Sequence, residues 1–334
     1  MAKAKNAGLG AAKQNKADEF YTQRVDIENE LSHYKEYFRD KIVYCNCDDP
    51  VESEFWKFFV RVFKDWGLKK LMATHYEPDE KNYSYSLEIC EDTNGDGRID
   101  MNDEPTITQL PCNGDFRSAA CIELLKEADI VVTNPPFSLF RDYVMQLVQY
   151  GKEFIIMGPM SAVKYKETFP LIRDGHIYTG YGFNKTMEFI MPDDYELKGK
   201  AFIDDNGRKH SFVPGMCWYT NLDIPKRHVM MDLRGNYYSP EKYPAYTNFN
   251  GIDVANVNDI PIDYAGCMGV PISFMEFLNP DQFEIVGLGE GDLAKEIGIT
   301  RNHEGRTKVE IMNENGEYKR PYARLIIRRK EQNV

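Results

Sequence analysis

A short apolar run, Ile130-Val131-Val132-Thr133, leads directly into Asn134-Pro135-Pro136-Phe137. The apolar residues are mostly β-branched and favour a strand. The two prolines bar a helix at that point and hold the residue before them extended. The sequence therefore predicts a buried strand that ends in a rigid turn, with an amide and an aromatic ring fixed at its carboxyl end.

Outward from this turn, strand-like and helical patterns alternate in both directions. Such alternation is typical of an α/β fold and predicts a doubly wound, mostly parallel sheet. After residue 175 the pattern changes to short strand-like pieces among turn residues, which predicts a smaller carboxyl-side lobe. The predicted strands are 42–45, 71–74, 130–133 and 154–157, and the predicted helices are 26–38, 53–67, 118–127, 139–149 and 162–172.

The Asn-Pro-Pro-Phe turn is suited to holding a nucleobase, because ligands of an open α/β sheet bind beside the carboxyl ends of its strands. The amide oxygen of Asn134 and the carbonyl of Pro135 can accept from an exocyclic amino group, Pro136 keeps the turn rigid, and Phe137 can stack on the ring. Methyl transfer to that nitrogen requires positioning more than acid–base catalysis. A base in a duplex would have to be flipped out first. The alternative is an ordinary proline-rich loop.

Two further segments are candidates for binding S-adenosylmethionine. The strand 42–45 is followed by Asp48 and Asp49 rather than by a glycine-rich turn, and their carboxylates can meet the ammonium or hydroxyl groups of that cofactor. Asp115, followed by Phe116, precedes the next predicted helix and can accept from the cofactor's adenine amino group. The alternative for each aspartate is a helix N-cap.

With these residues in view, the chain resembles the EcoRI-type family of adenine-specific DNA methyltransferases. The resemblance runs from about residue 17 to about residue 287 and is carried by the segments 18–23, 44–50, 114–118, 128–140 and 263–271. It implies S-adenosylmethionine as the methyl donor and the N6 atom of adenine in duplex DNA as the acceptor. It also implies that Tyr21 and Thr22 contact the cofactor.

Together these observations predict three parts: a flexible basic arm at 1–16, a catalytic domain at 17–175 that binds S-adenosylmethionine, and a target-recognition lobe with a basic tail at 176–334. An acidic insertion at about 77–110 interrupts the catalytic domain. Residues 77–104 carry ten acids against two bases, which accounts for −8 of the net charge of −12. The remaining −4 leaves room for the basic arm and tail to contact phosphates.

A calcium loop is a second prediction, within the acidic insertion. Residues 92–103 have oxygen-bearing side chains at the spacing of a twelve-residue calcium loop with glycine at its sixth position, although an aspartate replaces the usual final glutamate. The flanking segments are strand-like rather than helical, so a hairpin with an acidic tip is the alternative. The candidate ligands are Asp92, Asn94, Asp96, Asp100 and Asp103.

The expected partner is double-stranded DNA, and the enzyme is expected to serve either restriction-modification, with a cognate restriction endonuclease acting separately, or as an orphan methylase. Neither a signal peptide nor an apolar run long enough to cross a membrane is present, so we expect no membrane association and a cytoplasmic location. Two alternatives stay open: a methyltransferase for RNA bases or a protein glutamine, and a catalytically dead DNA-binding module.

Overall fold

Within the described part of the chain, strands around the Asn-Pro-Pro-Phe turn form the centre of an 11-stranded sheet. The computed structural model describes residues 21–47, 49–51, 53–77, 83–191, 196, 200–233, 235–302, 304–313 and 315–330. The strands of this principal sheet are β1 Tyr21–Thr22, β2 Ile42–Cys45, β3 Lys70–Thr74, β4 Tyr85–Ile89, β5 Thr106–Gln109, β6 Ile130–Thr133, β7 Glu153–Pro159, β8 Tyr178–Thr179, β9 Lys185–Met191, β10 Ala201–Ile203 and β11 Lys209–Thr220. Their order is β1-β9-β11-β7-β6-β2-β3-β4-β5, with β8 and β10 also paired to β11.

The predicted parallel sheet is confirmed at the centre, where β3, β2, β6 and β7 pair in parallel. All four residues of β6 are buried, as expected of a strand covered on both faces. Antiparallel strands extend the sheet on both sides. The helices of the first part of the chain are α1 Arg24–Leu31, α2 Glu54–Trp66, α3 Ala119–Glu127 and α4 Phe140–Gln149, and short 3₁₀ helices span Ser32–Phe38, Phe137–Leu139 and Met160–Lys164.

Local signals explain both ends of α2. Ser53 caps α2 by accepting from the backbone N–H of Phe55 at 3.1 Å, and Gly67 ends it in the left-handed conformation. The helix predicted over 162–172 is wrong as a single element, because a 3₁₀ helix ends at Lys164 and α5 covers only Thr168–Arg173. Pro170 lies in the first turn of α5, where proline is tolerated, whereas a helix through 162–172 would place it in the interior.

The described residues form two compact units whose boundary differs from the one expected at residue 175. One unit holds the described residues up to Ala162 together with Tyr178–Leu222, and the other holds Val163–Ile177 and the described residues from Asp223 onward. The difference arises because β11 continues the principal sheet by pairing with β7, from Met216 opposite Pro159 to Thr220 opposite Ile155.

The described part of the second unit contains a separate two-stranded sheet and a four-stranded sheet in the order β12 (Ile252–Asp253), β13 (Met268–Pro271), β17 (Arg324–Arg329) and β14 (Phe283–Leu288). None of the helices in the described ranges has the length and apolar character that crossing a membrane requires. The elements of this unit are α5, β12 Ile252–Asp253, β13 Met268–Pro271, β14 Phe283–Leu288, α6 Asp292–Glu296, β15 Ile311–Met312, β16 Tyr318–Lys319 and β17 Arg324–Arg329, with 3₁₀ helices at Pro225–His228, Val257–Asp259 and Ile272–Phe277.

Candidate active site

The strand order places a topological switch point between β2 and β6. From β2 the chain crosses to β3 on one side, and it later returns to β6 on the other side of β2. The two strands run in parallel, with Tyr44 opposite Val131, so both end at the same edge of the sheet. A crevice for ligands forms at such a point in open α/β sheets. Asn46 and Asn134 follow the two strands at this crevice.

The Asn-Pro-Pro-Phe turn has the predicted form. Asn134 is only 5% exposed and Pro135 is buried. Pro136 is extended, with φ −54° and ψ 124°, and its carbonyl accepts from the N–H of Leu139 at 2.9 Å. A 3₁₀ turn begins at Phe137, which is half-buried, and continues into α4. The turn is therefore short and fixed at both ends, by β6 and by α4.

Asn46 is a site residue that the sequence analysis did not single out. Its side chain is 1% exposed, its backbone carbonyl accepts from the Thr133 hydroxyl, and its amide oxygen accepts from the hydroxyl of Tyr143 on α4. Burial raises the pKa of Tyr143 well above the ordinary value, so this phenol stays a hydrogen-bond donor. Asn46 thus joins β2, β6 and α4 around the turn. A polar amide directly after a buried strand was the available signal.

The segment 114–116 lies in the same region. Phe116 is 5% exposed and packs edge-to-face on the ring of Tyr143, with centroids 5.0 Å apart. Asp115 is not the cap of α3, since Ser118 caps that helix by accepting from Cys121 N–H at 3.3 Å. The guanidinium of Arg117 holds the Asp115 carboxylate at 2.9 and 2.6 Å, and these hydrogen bonds lower the pKa of Asp115. The carboxylate is therefore ionised at neutral pH.

A charged cluster at the end of β3 was also not predicted. His75 lies with Nδ1 3.2 Å from Asp49 Oδ2 and Nε2 3.8 Å from Glu77 Oε2, and its ring stacks on Tyr85 with centroids 5.0 Å apart. Asp49 also accepts from the N–H of Val51 at 2.8 Å, so it shapes its own turn rather than capping α2. Because β3 is the parallel neighbour of β2, residues that follow either strand share one edge. Asp48 lies outside the described residues.

Strand β1 brings Thr22 to the principal sheet. The backbones of Tyr21 and Thr22 pair with Ile190 and Phe189 on β9, and Thr22 is 4% exposed. The Thr22 hydroxyl lies 3.9 Å from the sulfur of Met157 on β7. Since Ile156 pairs with Thr133, Met157 is level with Asn134. Thr22 therefore lies near the same edge as the turn.

Residues 92–103 form the tip of the β4–β5 hairpin. The prediction that strands flank this segment is therefore confirmed. Their carboxylates and amide oxygens accept backbone N–H groups: Asp103 accepts from Thr93 and Asp100 at 2.7 Å each, and Asp92 accepts from Gly95 and Gly97 at 2.6 Å each. Over the described ranges, no group of three or more His, Cys, Asp or Glu side chains is placed to hold a metal ion. The calcium prediction gains no support. The other predicted ligands, Asn94, Asp96 and Asp100, likewise accept from the N–H groups of Asp96, Arg98 and Asn102.

Comparison with known proteins extends the sequence resemblance to nearly the whole chain. The family model "Adenine-specific methyltransferase EcoRI" matches residues 8–330. The Type II methyltransferase M.EcoRI of Escherichia coli is 42% identical, over 98% of this chain and 98% of its own length. The Type II methyltransferase M.MpnI of Mycoplasma pneumoniae is 37% identical, over 96% and 97% of the two chains. No significant match to a solved structure was found.

The family match covers the strands, the switch point and the Asn-Pro-Pro-Phe turn together. The similarity to the relatives spans nearly the full length of this chain and of each relative. The chain therefore belongs to the EcoRI family of adenine-specific DNA methyltransferases.

Proposed function

We propose that the Asn-Pro-Pro-Phe turn is the catalytic centre and transfers a methyl group to the N6 atom of an adenine flipped out of duplex DNA. Buried acceptors at the switch point support this proposal most directly. The Asn134 amide oxygen and the Pro135 carbonyl accept from the adenine amino group, which orients its lone pair toward the methyl donor. Phe137 stacks on the base and offsets part of the unstacking cost of about a few kcal/mol.

The cofactor that family membership implies is S-adenosylmethionine, which would supply an electrophilic methyl group: the methyl carbon–sulfur bond would break as the carbon–nitrogen bond forms, leaving a neutral thioether, and N6 would then lose one proton. The residues along the switch-point edge fit its charges. Asp115 is ionised, and the carboxylates of Asp49 and Glu77 both lie within 4 Å of the His75 ring, at 3.2 and 3.8 Å. These carboxylates can accept from an ammonium, from hydroxyl groups and from an adenine amino group. Phe116 offers an apolar surface, and Thr22 closes the site from β1.

The rest of the enzyme can be assigned more coarsely. We infer that the second compact unit contributes to target recognition, because the first contains the whole switch-point site. The relatives are named Type II methyltransferases, which supports a recognition sequence shared with a separately acting endonuclease. Family membership disfavours the RNA and protein-glutamine alternatives. Label transfer to RNA or to protein, in preference to unmethylated duplex DNA, would revive them.

Asn134→Ala tests the catalytic assignment. Removing a side chain that acts on the transferring group costs about 10²–10³-fold in turnover or more, by analogy with oxyanion-hole donors. We expect that loss in single-turnover methyl transfer to duplex DNA. Cofactor affinity by calorimetry and the circular dichroism spectrum should match the wild type.

The matched control is Asn94→Ala, which changes the same residue type in the exposed hairpin tip. It should turn over like the wild type. Near-normal turnover by a folded Asn134→Ala enzyme would remove Asn134 from the catalytic centre and leave only its place in the fold.

A further inference from the structure

The basic tail contains six cations between Lys319 and Lys330, and three of its arginines form ion pairs with carboxylates. Arg320 contacts Glu310 at 3.1 Å, and Glu310 is 1% exposed. Arg328 forms an ion pair with Glu284 at 3.0 Å. These guanidinium groups already have carboxylate partners, so they are poor candidates for phosphate contacts.

Arg324 is the most buried of the set and belongs to the core of its sheet. It is 7% exposed and donates to both oxygens of Asp253, at 2.8 and 3.2 Å, while the hydroxyl of Tyr246 donates to Asp253 at 2.7 Å. This buried ion pair links β12 to β17 across the intervening strand β13. It is structural and is not available to a ligand.

Arg329 differs from its neighbour Arg328. The two face Phe283 and Glu284 respectively on β14, and successive side chains of a strand point to opposite faces. Arg328 therefore meets Glu284 on one face and Arg329 lies on the other. Within the described part of the chain, Arg329 has no carboxylate partner, and its Nη1 atom is buried without a hydrogen-bond acceptor. A partly desolvated guanidinium of this kind is stabilised by an anion.

Arg329 lines a cavity of about 510 Å³ together with Lys330. Leu233 and Ile262 supply apolar wall, and Gln282 fixes the wall by bonding the N–H and carbonyl of Met231 at 2.8 and 2.9 Å. Apolar walls lower the local dielectric and strengthen the field of the two cations.

The charge of this cavity favours an anion. Arg329 and Lys330 contribute two positive charges, and Asp232 is the single acid among the lining residues, which leaves one positive charge. Arginine and phosphate form short, bidentate hydrogen bonds. The cavity is larger than a phosphate group and opens to the surface, so it can admit a phosphodiester that belongs to a longer chain.

We propose that the cavity lined by Arg329 and Lys330 binds a backbone phosphate of the DNA duplex. The inference rests on the proposed function, since it assumes a DNA substrate. A backbone phosphate carries no base identity, so this contact sets affinity and register and leaves sequence discrimination to other residues.

Arg329→Gln and Arg328→Gln form a matched pair, because each removes one positive charge from adjacent positions of β17. Binding of two duplexes, one that the enzyme methylates and one of scrambled sequence, is measured by fluorescence anisotropy between about 50 and 200 mM salt. We expect Arg329→Gln to weaken binding to both duplexes equally, on the order of tenfold. It should also reduce the magnitude of the slope of log K against log salt by about one. Arg328→Gln should keep the wild-type slope.

A second variant guards against misfolding of the first. Lys330 is exposed and lines the same cavity, so Lys330→Gln should fold normally and also reduce the slope. Wild-type slopes for Arg329→Gln and Lys330→Gln would overturn the inference. A loss of affinity confined to the duplex that the enzyme methylates would also overturn it, because that result would indicate base readout. So would variants that inorganic phosphate no longer stabilises against unfolding but that bind DNA with unchanged affinity. Wild-type enzyme that binds no duplex would instead contradict the proposed function.

Discussion

Asn46 and Asn134 are two buried amides at the ends of neighbouring strands, and they have different surroundings. Asn46 is used internally, since its carbonyl and amide oxygens accept from Thr133 and Tyr143. Asn134 sits between two fixed segments and is the residue we assign to the adenine. The sequence predicted Asn134 because two prolines mark its turn. It did not predict Asn46, because the contacts that hold that amide come from residues 87 and 97 positions away.

Phe137 provides a test of base stacking at the residue scale. Replacing it by alanine should lower kcat/KM for duplex DNA roughly 5- to 150-fold, since stacking on an aromatic side chain contributes about 1–3 kcal/mol per base. Phe137→Trp should keep most of the activity because it keeps a flat aromatic surface. Steady-state kinetics of both variants, with cofactor affinity as the control, make the comparison. Equal activity of the alanine and wild-type enzymes would show that the ring does not hold the base.

At the scale of elements, the loop before α3 is fixed against the end of β3. Gly114 has φ +79°, and a Cβ at this position would lie 2.1 Å from the carbonyl oxygen of His75. Only glycine fits both the backbone conformation and the space. This close approach keeps Asp115 and Phe116 beside the switch point.

Gly114→Ala and Gly95→Ala separate the two constraints. Gly95 has a similar φ of +76°, but a Cβ there meets nothing within 4 Å. Both substitutions should lower the free energy of unfolding by about 1–2 kcal/mol, because alanine is strained in the left-handed backbone conformation. Gly114→Ala should lower the free energy of unfolding by about 1–3 kcal/mol more, because its Cβ overpacks against the His75 carbonyl. This variant should also bind cofactor more weakly. Urea unfolding measures the difference, and equal losses would mean that the loop can move away from His75.

Local sequence patterns predicted some strands and helices and missed others. The strands 42–45 and 130–133 and the helix capped by Ser53 were predictable because their signals are local. The hairpin was predicted as the alternative to a calcium loop because its flanks are strand-like, and the pairing of β4 with β5 confirms the hairpin. The long helix at 162–172 was wrong because Pro170 restricts where α5 can begin. The continuation of the principal sheet through β11 depends on pairing with β7, which has no local signature.

For the whole molecule, an excess of twelve negative charges must coexist with DNA binding. The acid is concentrated at 77–104, and cations cluster elsewhere along the sequence. Fewer tail cations are available for phosphate than the sequence alone indicates, because Arg320, Arg324 and Arg328 pair with acids from other parts of the second unit. Charge patterning alone can locate a basic surface, but only the tertiary structure tells which cations are available.

Methyl transfer from labelled S-adenosylmethionine to unmethylated duplex DNA, followed by nucleoside analysis, tests the central claim most directly. The structure and the family together predict that the label appears in N6-methyladenine, and single-molecule sequencing should place it within one short sequence motif. Label in a methylated cytosine, or in RNA or protein while the DNA stays unlabelled, would contradict the assignment of the Asn-Pro-Pro-Phe turn to adenine in duplex DNA.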